Sequence, residues 1–339
     1  MDTAGPATPE VSILVPARNE EVCLRDCLLS LAGQEGVGFE IIVVDDHSVD
    51  RTRSIAESVP GVRVVEAGPL PAGWTGKNNA LVTGVREARG RWLLFTDADT
   101  IHRPESLARA VAEAQQHGAD LLSYSPEQVV KSFWERAVMP VVFAELAAQY
   151  PPEKVRDQNS GVVAANGQYI LVRREAYYAV GGHESVATEI LEDVALARKV
   201  REKDCRVYFR YAEDAVQTRM YRSWAELRDG WTKNLALLFP RPLRRAGGLV
   251  AWWMVAWVTL PVLIPAAALY IRLRRAGFAR SSTLLAGACG VPVFAYLLLR
   301  SRAAHAEGDV TWKGRTYSSS GRAQAIAHGG RVAGPPAAA

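Results

Sequence analysis

From residue 11 onward, short apolar runs alternate with amphipathic stretches. The runs at 11–15, 40–44, 62–65, 92–95 and 120–124 predict strands. The stretches at 20–31, 50–58, 78–89 and 104–117 carry apolar residues at helical spacing and predict helices. Pro104 just inside the last of these and Gly118 just after it are start and stop signals. Strands that are apolar throughout, separated by helices, predict a parallel sheet covered on both faces. Such sheets bind ligands beyond the carboxyl ends of their strands. A second α/β section follows, with a strand within 162–173, a helix over 192–203 and strands near 206–211 and 216–221. Between the two sections, 132–150 is mixed apolar with an internal Pro140. It reads either as a core helix bent at the proline or as a segment that lies in an interface or lines a lipid-binding groove.

The pattern changes after residue 245. Residues 249–271 hold 23 positions without a charge, and 281–299 hold another 19. The first is long enough for a hydrocarbon core of roughly 30 Å, and membrane helices tolerate kinks such as Pro261 and Pro265 would bring. Arg272, Arg274, Arg275 and Arg280 sit between the two stretches, against eight Lys and Arg on the outer flanks. That balance predicts a membrane hairpin with both flanks in the cytoplasm; a shallow hairpin that never fully crosses is the alternative. The expected organisation is a polar tail over 1–10 without a signal peptide, an α/β domain over 11–245, a membrane-associated region with two transmembrane helices over 246–300, and a cytoplasmic segment with a disordered tail over 301–339. Composition otherwise resembles a soluble protein, 49% hydrophobic and 22% charged. With 40 Lys and Arg against 36 Asp and Glu, nothing suggests nucleic acid as a partner. Four cysteines without metal spacing indicate a reducing compartment.

Three acidic clusters follow apolar runs. Asp45-Asp46 closes the run at 40–44, where two adjacent carboxylates gain nothing from packing and are retained to bind a ribose, a base edge or a cation; Asp50 nearby could instead cap the next helix. Asp97-Ala98-Asp99 follows the run at 92–95, and carboxylates converging at a sheet edge suit a hard divalent cation, Mg²⁺ or Mn²⁺, that also takes substrate phosphates. Glu192-Asp193 opens a helix, where the dipole alone favours acid, or where a carboxylate could act as a general base. The stretch Gly73-Trp74-Thr75-Gly76-Lys77-Asn78 is a plausible phosphate contact, although its spacing is not that of a P-loop, and no dinucleotide fingerprint follows the first strand.

The ordered set V-P-A-R-N-E, V-V-D-D-H-S, G-K-N-N-A-L, F-T-D-A-D and L-E-D-V, over residues 11–238, resembles family 2 glycosyltransferases with a GT-A fold. The ending T-W-K-G-R-T-Y after two apolar stretches is similar to the membrane-bound branch that glycosylates lipids, its hopanoid-associated and carotenoid-type members above all. The resemblance implies a Rossmann-like GT-A domain followed by a membrane helical hairpin. It implies that Pro16, Arg18, Glu20, Asp45 and Asp46 hold the donor nucleoside, with Asp46 on the base, and that Lys77 and Asp97 lie by the diphosphate. Asp97 and Asp99 would be the metal pair, Asp193 the catalytic base and Glu192 its neighbour. Gly182 and His183 would belong to an acceptor-side turn, with Trp231 and Lys233 on the acceptor or diphosphate edge. The (Q/R)-x-x-R-W motif of processive members is missing: Gly230 precedes Trp231. The implied activity is metal-dependent inverting transfer from a nucleotide sugar, a UDP-sugar first among the candidates, to a lipid-like acceptor at the cell membrane, with the catalytic domain facing the cytoplasm. A polyprenyl phosphate or growing glycan as acceptor, and a non-catalytic nucleotide-sugar-binding scaffold, are the alternatives.

Overall fold

The computed structural model describes residues 8–259, 263–308, 310–312 and 315–317. The polar start before residue 8 and the expected tail after Tyr317 fall outside them. Among the described residues there are twelve strands: β1 (Val11–Ala17), β2 (Phe39–Asp45), β3 (Val62–Glu66), β4 (Trp92–Phe95), β5 (Thr100–His102), β6 (Leu121–Ser125), β7 (Glu127–Gln128), β8 (Ile170–Arg173), β9 (Val207–Tyr211), β10 (Val216–Thr218), β11 (Val310–Trp312) and β12 (Arg315–Tyr317). The helices of the first half are α1 (Leu24–Ala32), α2 (Thr52–Glu57), α3 (Gly76–Glu87), α4 (Ser106–Gln116), α5 (Phe133–Gln149) and α6 (Pro152–Arg156). Then come α7 (Arg174–Ala179), α8 (Glu192–Glu202), α9 (Trp224–Leu238), α10 (Pro242–Val258), α11 (Ile264–Arg274), α12 (Arg280–Leu285) and α13 (Val291–Glu307).

Seven strands form one sheet in the order β3-β2-β1-β4-β8-β6-β9, parallel except for β8. Alternation along each strand explains why both faces are apolar. Ile13 and Val15 of β1 and Ile41 and Val43 of β2 pack under α1 and α4, through Leu24, Leu28, Leu107 and Ala110. Leu14, Ile42 and Val44 face the other way, against Leu81 and Val85 of α3 and Leu196 and Val200 of α8. Because β1, β2 and β4 are parallel, Ala17, Asp45 and the turn after Phe95 all emerge at one edge. Of the strand expected within 162–173, only Ile170–Arg173 enters the sheet. The polar Asn166-Gly167-Gln168 that precedes it forms a turn instead.

A third cluster lies outside the sheet. It joins Val138, Met139 and Val142 of α5 to Leu227, Trp231 and Leu235 of α9 and to Leu269, Phe294 and Leu298 from the C-terminal helices. Helix α5 is a core helix that runs through Pro140, and its capping box is complete, with Ser132 Oγ accepting from the Glu135 amide. Two membrane helices were expected over 246–300, and part of that span, residues 260–262, lies outside the described residues. Among the described residues one helix, Arg280–Glu307 with a π-helical turn at Ala286–Gly290, is long and apolar enough to cross a membrane, and half of its apolar window is buried inside the protein. The stretch 249–271 is divided between α10 and α11, with Pro265 in the first turn of α11, where no N–H donor is required.

Gly290 sits against the backbone of α5: a Cβ there would stand 1.9 Å from the Ala137 carbonyl oxygen. A Cβ at Gly247 of α10 meets nothing within 4 Å. Gly290→Val should therefore destabilise the fold by about 1–3 kcal/mol or more, whereas Gly247→Ala should be neutral or stabilising by up to about 1 kcal/mol. Thermal unfolding of the two variants beside the parent checks the contrast; equal midpoints would contradict the packing described.

Candidate functional site

At the carboxyl edge of β1, β2 and β4 the loops are laced to one another. The Arg18 guanidinium donates to the Asp46 carbonyl at 2.6 Å, the Asn19 amide to Ser48 Oγ, and the Val49 amide to Asn19 Oδ1. The Glu20 amide donates to Thr52 Oγ1, and Asp50 accepts from the Thr52 amide at 2.9 Å, so Asp50 serves the turn into α2. Asn19 and His47 both adopt left-handed backbone (φ 54° and 55°), which turns the two loops towards each other. Asp45 is buried and accepts the Ser48 amide, while its neighbour Asp46 forms part of a cavity wall.

That cavity has a volume of about 570 Å³. Its polar side is made by Pro16, Arg18, Glu20, Asp46, Lys77, Asp97, Asp99, Glu192 and Asp193, and Trp231 and Lys233 join from α9. Eleven of the fourteen residues singled out in the sequence therefore surround one space. Asp45, Gly182 and His183 do not. His183 is 1% exposed, its Nδ1 lies 3.0 Å from the Tyr177 hydroxyl, and its ring meets Phe95 edge-on. Gly182 has φ 50° and a Cβ there would strike the Tyr177 ring. The expectation of an acceptor-side role for this turn is thus corrected: it packs behind the site. Burial, helped by the Lys77 charge, pushes the His183 imidazole down to about 3, so it is neutral.

Lys77 is brought in by the first turn of α3, which Thr75 caps by accepting from the Asn78 amide. Its neighbours Asn78 and Asn79 tie α3 to the chain: Asn78 Nδ2 donates to the Val186 and Ala187 carbonyls, and Asn79 Nδ2 to that of Gly68. Lys77 Nζ lies 2.7 Å from Asp97 Oδ1 and 2.8 Å from Glu192 Oε1. Burial opposes its charge, but the two carboxylates outweigh that and hold the ammonium well above its usual range. Asp193 accepts from the Gly167 amide and from its own successor Val194, both at 2.8 Å. Burial and then the adjacent Glu192 raise its carboxyl above the usual aspartate range, against the pull of Lys77. Burial lowers the Lys233 ammonium.

The sequence did not point to Asn166-Gly167-Gln168, which lies against the Lys77–Glu192–Asp193 group. A Cβ at Gly167 would come within 3.1 Å of Lys77 Nζ. A glycine between two amide residues just before an apolar run was the available signal. Also unforeseen was Arg219, which lines the cavity while its guanidinium forks onto the buried Glu135 at 2.9 and 3.0 Å. Burial alone would raise the Glu135 carboxyl; Arg219 and the Ser132 bonds bring it down to about 2. The far wall is apolar, made by Phe143 and Leu146 of α5, Tyr150 after it, and Leu238 of α9. Among the described residues no three His, Cys, Asp or Glu side chains gather closely enough to cage a metal ion by themselves.

Residues 12–181 match the family model described as glycosyl transferase family 2. A 4,4'-diaponeurosporenoate glycosyltransferase of Staphylococcus aureus (strain MRSA252) is 27% identical over 91% of this chain and 88% of its own. The protein of that description from strain USA300 is 30% identical over 67% of this chain, a match that spans 60% of the relative's length. Among solved structures, a mannosyltransferase from Pyrobaculum calidifontis, in complex with GDP-Man and Mn²⁺, matches 87% of this chain and 86% of its own at 21% identity, with a TM-score of 0.51. That likeness is one of fold, a GT-A-type α/β domain. With the family match running over half of the sequence, from the first strand past the Asp97–Asp99 turn, the chain belongs to glycosyl transferase family 2.

Proposed function

We propose that the chain is an inverting glycosyltransferase that moves a sugar from a nucleotide-sugar donor, a UDP-sugar first among the candidates, to a hydroxyl of a lipid-like acceptor at a membrane. The observation that carries this reading is the composition of the cavity lining, which brings strand-end carboxylates, Lys77 and Asp193 together with Phe143, Leu146, Tyr150 and Leu238. The relatives' naming for 4,4'-diaponeurosporenoate supports an apolar acceptor.

The donor's nucleoside would rest on the laced loops at Pro16, Arg18, Glu20 and Asp46. Its diphosphate would lie by Lys77, whose fixed charge favours the departing nucleoside diphosphate. Asp97 and Asp99 fit a divalent cation, Mg²⁺ or Mn²⁺: both are hard oxygen donors on one turn, Asp97 already holds a cation at 2.7 Å in the form of Lys77 Nζ, and substrate phosphates supply the further ligands such ions take. When bound, such an ion offsets charge on the diphosphate. Asp193 takes the proton of the acceptor hydroxyl, whose oxygen attacks the anomeric carbon from the face opposite the leaving group. A single displacement inverts the centre. Glu192 holds Lys77 and raises its neighbour's proton affinity. Trp231 and Lys233 border the acceptor side.

Asp193→Asn keeps the shape and removes the base. Transfer should fall by about 100- to 10,000-fold while donor binding, measured by calorimetry with a UDP-sugar, changes little; near-normal turnover would remove Asp193 from this role. The acid limb of the pH profile gives a separate check. Asp193 acts only when ionised, so kcat declines as pH falls through its pKa, and burial with Glu192 sets that pKa above the ordinary value of about 3.9. Glu192→Gln removes a like charge, favours the ionised form and should shift the limb to lower pH. A limb that stayed in place or moved upward would contradict the coupling.

A further inference from the structure

Helix α5 carries a carboxylate, Glu145, that is 2% exposed and held by two guanidiniums from the C-terminal region. Arg245 Nη1 reaches its Oε2 at 2.8 Å and Arg272 Nε its Oε1 at 2.9 Å. Arg245 lies in the first turn of α10 and Arg272 in the last turns of α11. The chain therefore leaves Glu145 along α10 and comes back to the same carboxylate along α11. With a rise of 1.5 Å per residue, α10 extends about 20 Å beyond Arg245 and α11 returns over about 12 Å. Neither is the roughly 30 Å of a hydrocarbon core.

The connection that follows stays on the catalytic domain. Arg136 near the start of α5 donates to Ser282 Oγ, so residues 272–282 run back along α5 from its C-terminal to its N-terminal end. The long helix 280–307 then packs along that domain. Gly290 abuts Ala137 of α5, Arg300 Nε donates to Thr232 Oγ1, the Ala236 amide donates to Ser301 Oγ, and His305 Nε2 lies 2.8 Å from the Lys233 carbonyl oxygen. Helices α5 and α9 both line the cavity, so the two ends of helix 280–307 sit on elements that border the same space. A membrane-crossing helix must deliver its ends to opposite faces.

What the α10–α11 pair leaves uncovered is apolar. Met254, Val255, Trp257, Val258, Leu263 and Ile264 are 46–79% exposed, on the ends of the two helices remote from Glu145. At the base of the pair stand the exposed Arg241, Arg244 and Arg275. An apolar tip above a collar of guanidiniums is complementary to an anionic bilayer surface: the tip suits the acyl region and the collar the headgroups. We propose that α10 and α11 form a re-entrant wedge that enters one leaflet of an anionic membrane and returns, and that neither apolar stretch crosses. This topology does not depend on the chemistry in the cavity, and it replaces the spanning hairpin expected from charge counting.

The test uses the full chain bound to preformed, closed vesicles of phosphatidylcholine and phosphatidylglycerol. In Arg275→Cys, the peptide holding the new thiol should react with a membrane-impermeant maleimide added outside as completely before detergent as after it. Reaction only after detergent would put residue 275 in the vesicle lumen and overturn the proposal. In a second arm, Trp257→Glu combined with Ile264→Glu should weaken vesicle binding about tenfold or more with an unchanged melting curve. Parent-like binding by that variant, or failure of the parent to bind these vesicles at all, would also overturn it. Neither arm reads sugar transfer, so a failure here is separate from a failure of the proposed reaction.

Discussion

One ammonium group organises the site. Lys77 is reached by the first turn of α3, Asp97 by the turn after β4, and Glu192 by the first turn of α8, three segments far apart in sequence that meet within 2.8 Å of a single nitrogen. Four carboxylates line this part of the cavity: Asp97, Asp99, Glu192 and Asp193. Without a cation among them their mutual repulsion, in surroundings poorer in water than the surface, would drive protonation or spread the segments. Lys77 counters both, and burial with the adjacent Glu192 raises the proton affinity of Asp193, which the ammonium does not touch at ion-pair distance. The division of labour between a charged pair and a poised carboxylate follows from which oxygen the ammonium reaches.

The loops after β1 and β2 are held in place for a different reason. Its loops gain their shape from backbone amides satisfied by side chains across the gap between β1 and β2, through Asn19, Ser48, Asp50 and Thr52. Asn19 and His47, residue types that tolerate positive φ, turn the two loops towards each other, and the cross-loop bonds hold that path. A pocket rim built this way changes little when occupied, so binding free energy is not diverted into ordering it.

Much of this was legible in the residues. Strands β1, β2, β4 and β6 are apolar because both faces of the sheet are covered, and their periodicity gave the sheet edge at which the carboxylates collect. Aspartates at the ends of buried strands have no packing reason to be there, which is why Asp46, Asp97 and Asp99 stood out and do reach the cavity. The same rule over-reached at Asp45, whose carboxylate turns inward to hold its own loop. Two residue groups were missed for a common reason. His183 and the Asn166–Gln168 turn owe their positions to partners distant in sequence, Phe95 and Asp193 respectively, and no local pattern encodes such a neighbour. In the C-terminal region hydropathy counts apolar residues along the chain, and such a count does not reveal that Arg245 and Arg272 share a partner about a hundred residues away in α5.

Glu145 also bears on where this protein can be divided. The change in charge pattern near residue 245 invites a boundary there, with an autonomous enzyme on one side and an anchor on the other. A cut after residue 245 would remove Arg272 from a carboxylate that is 2% exposed and leave Arg245 at the severed end, and taking a partner from a buried ion pair costs about 3–5 kcal/mol. Phe143 and Leu146, which flank that residue on α5, form part of the cavity wall. Helices α10 and α11 are thus tied structurally to the α/β domain, and any disturbance of their seating is felt two residues from the apolar lining of the cavity.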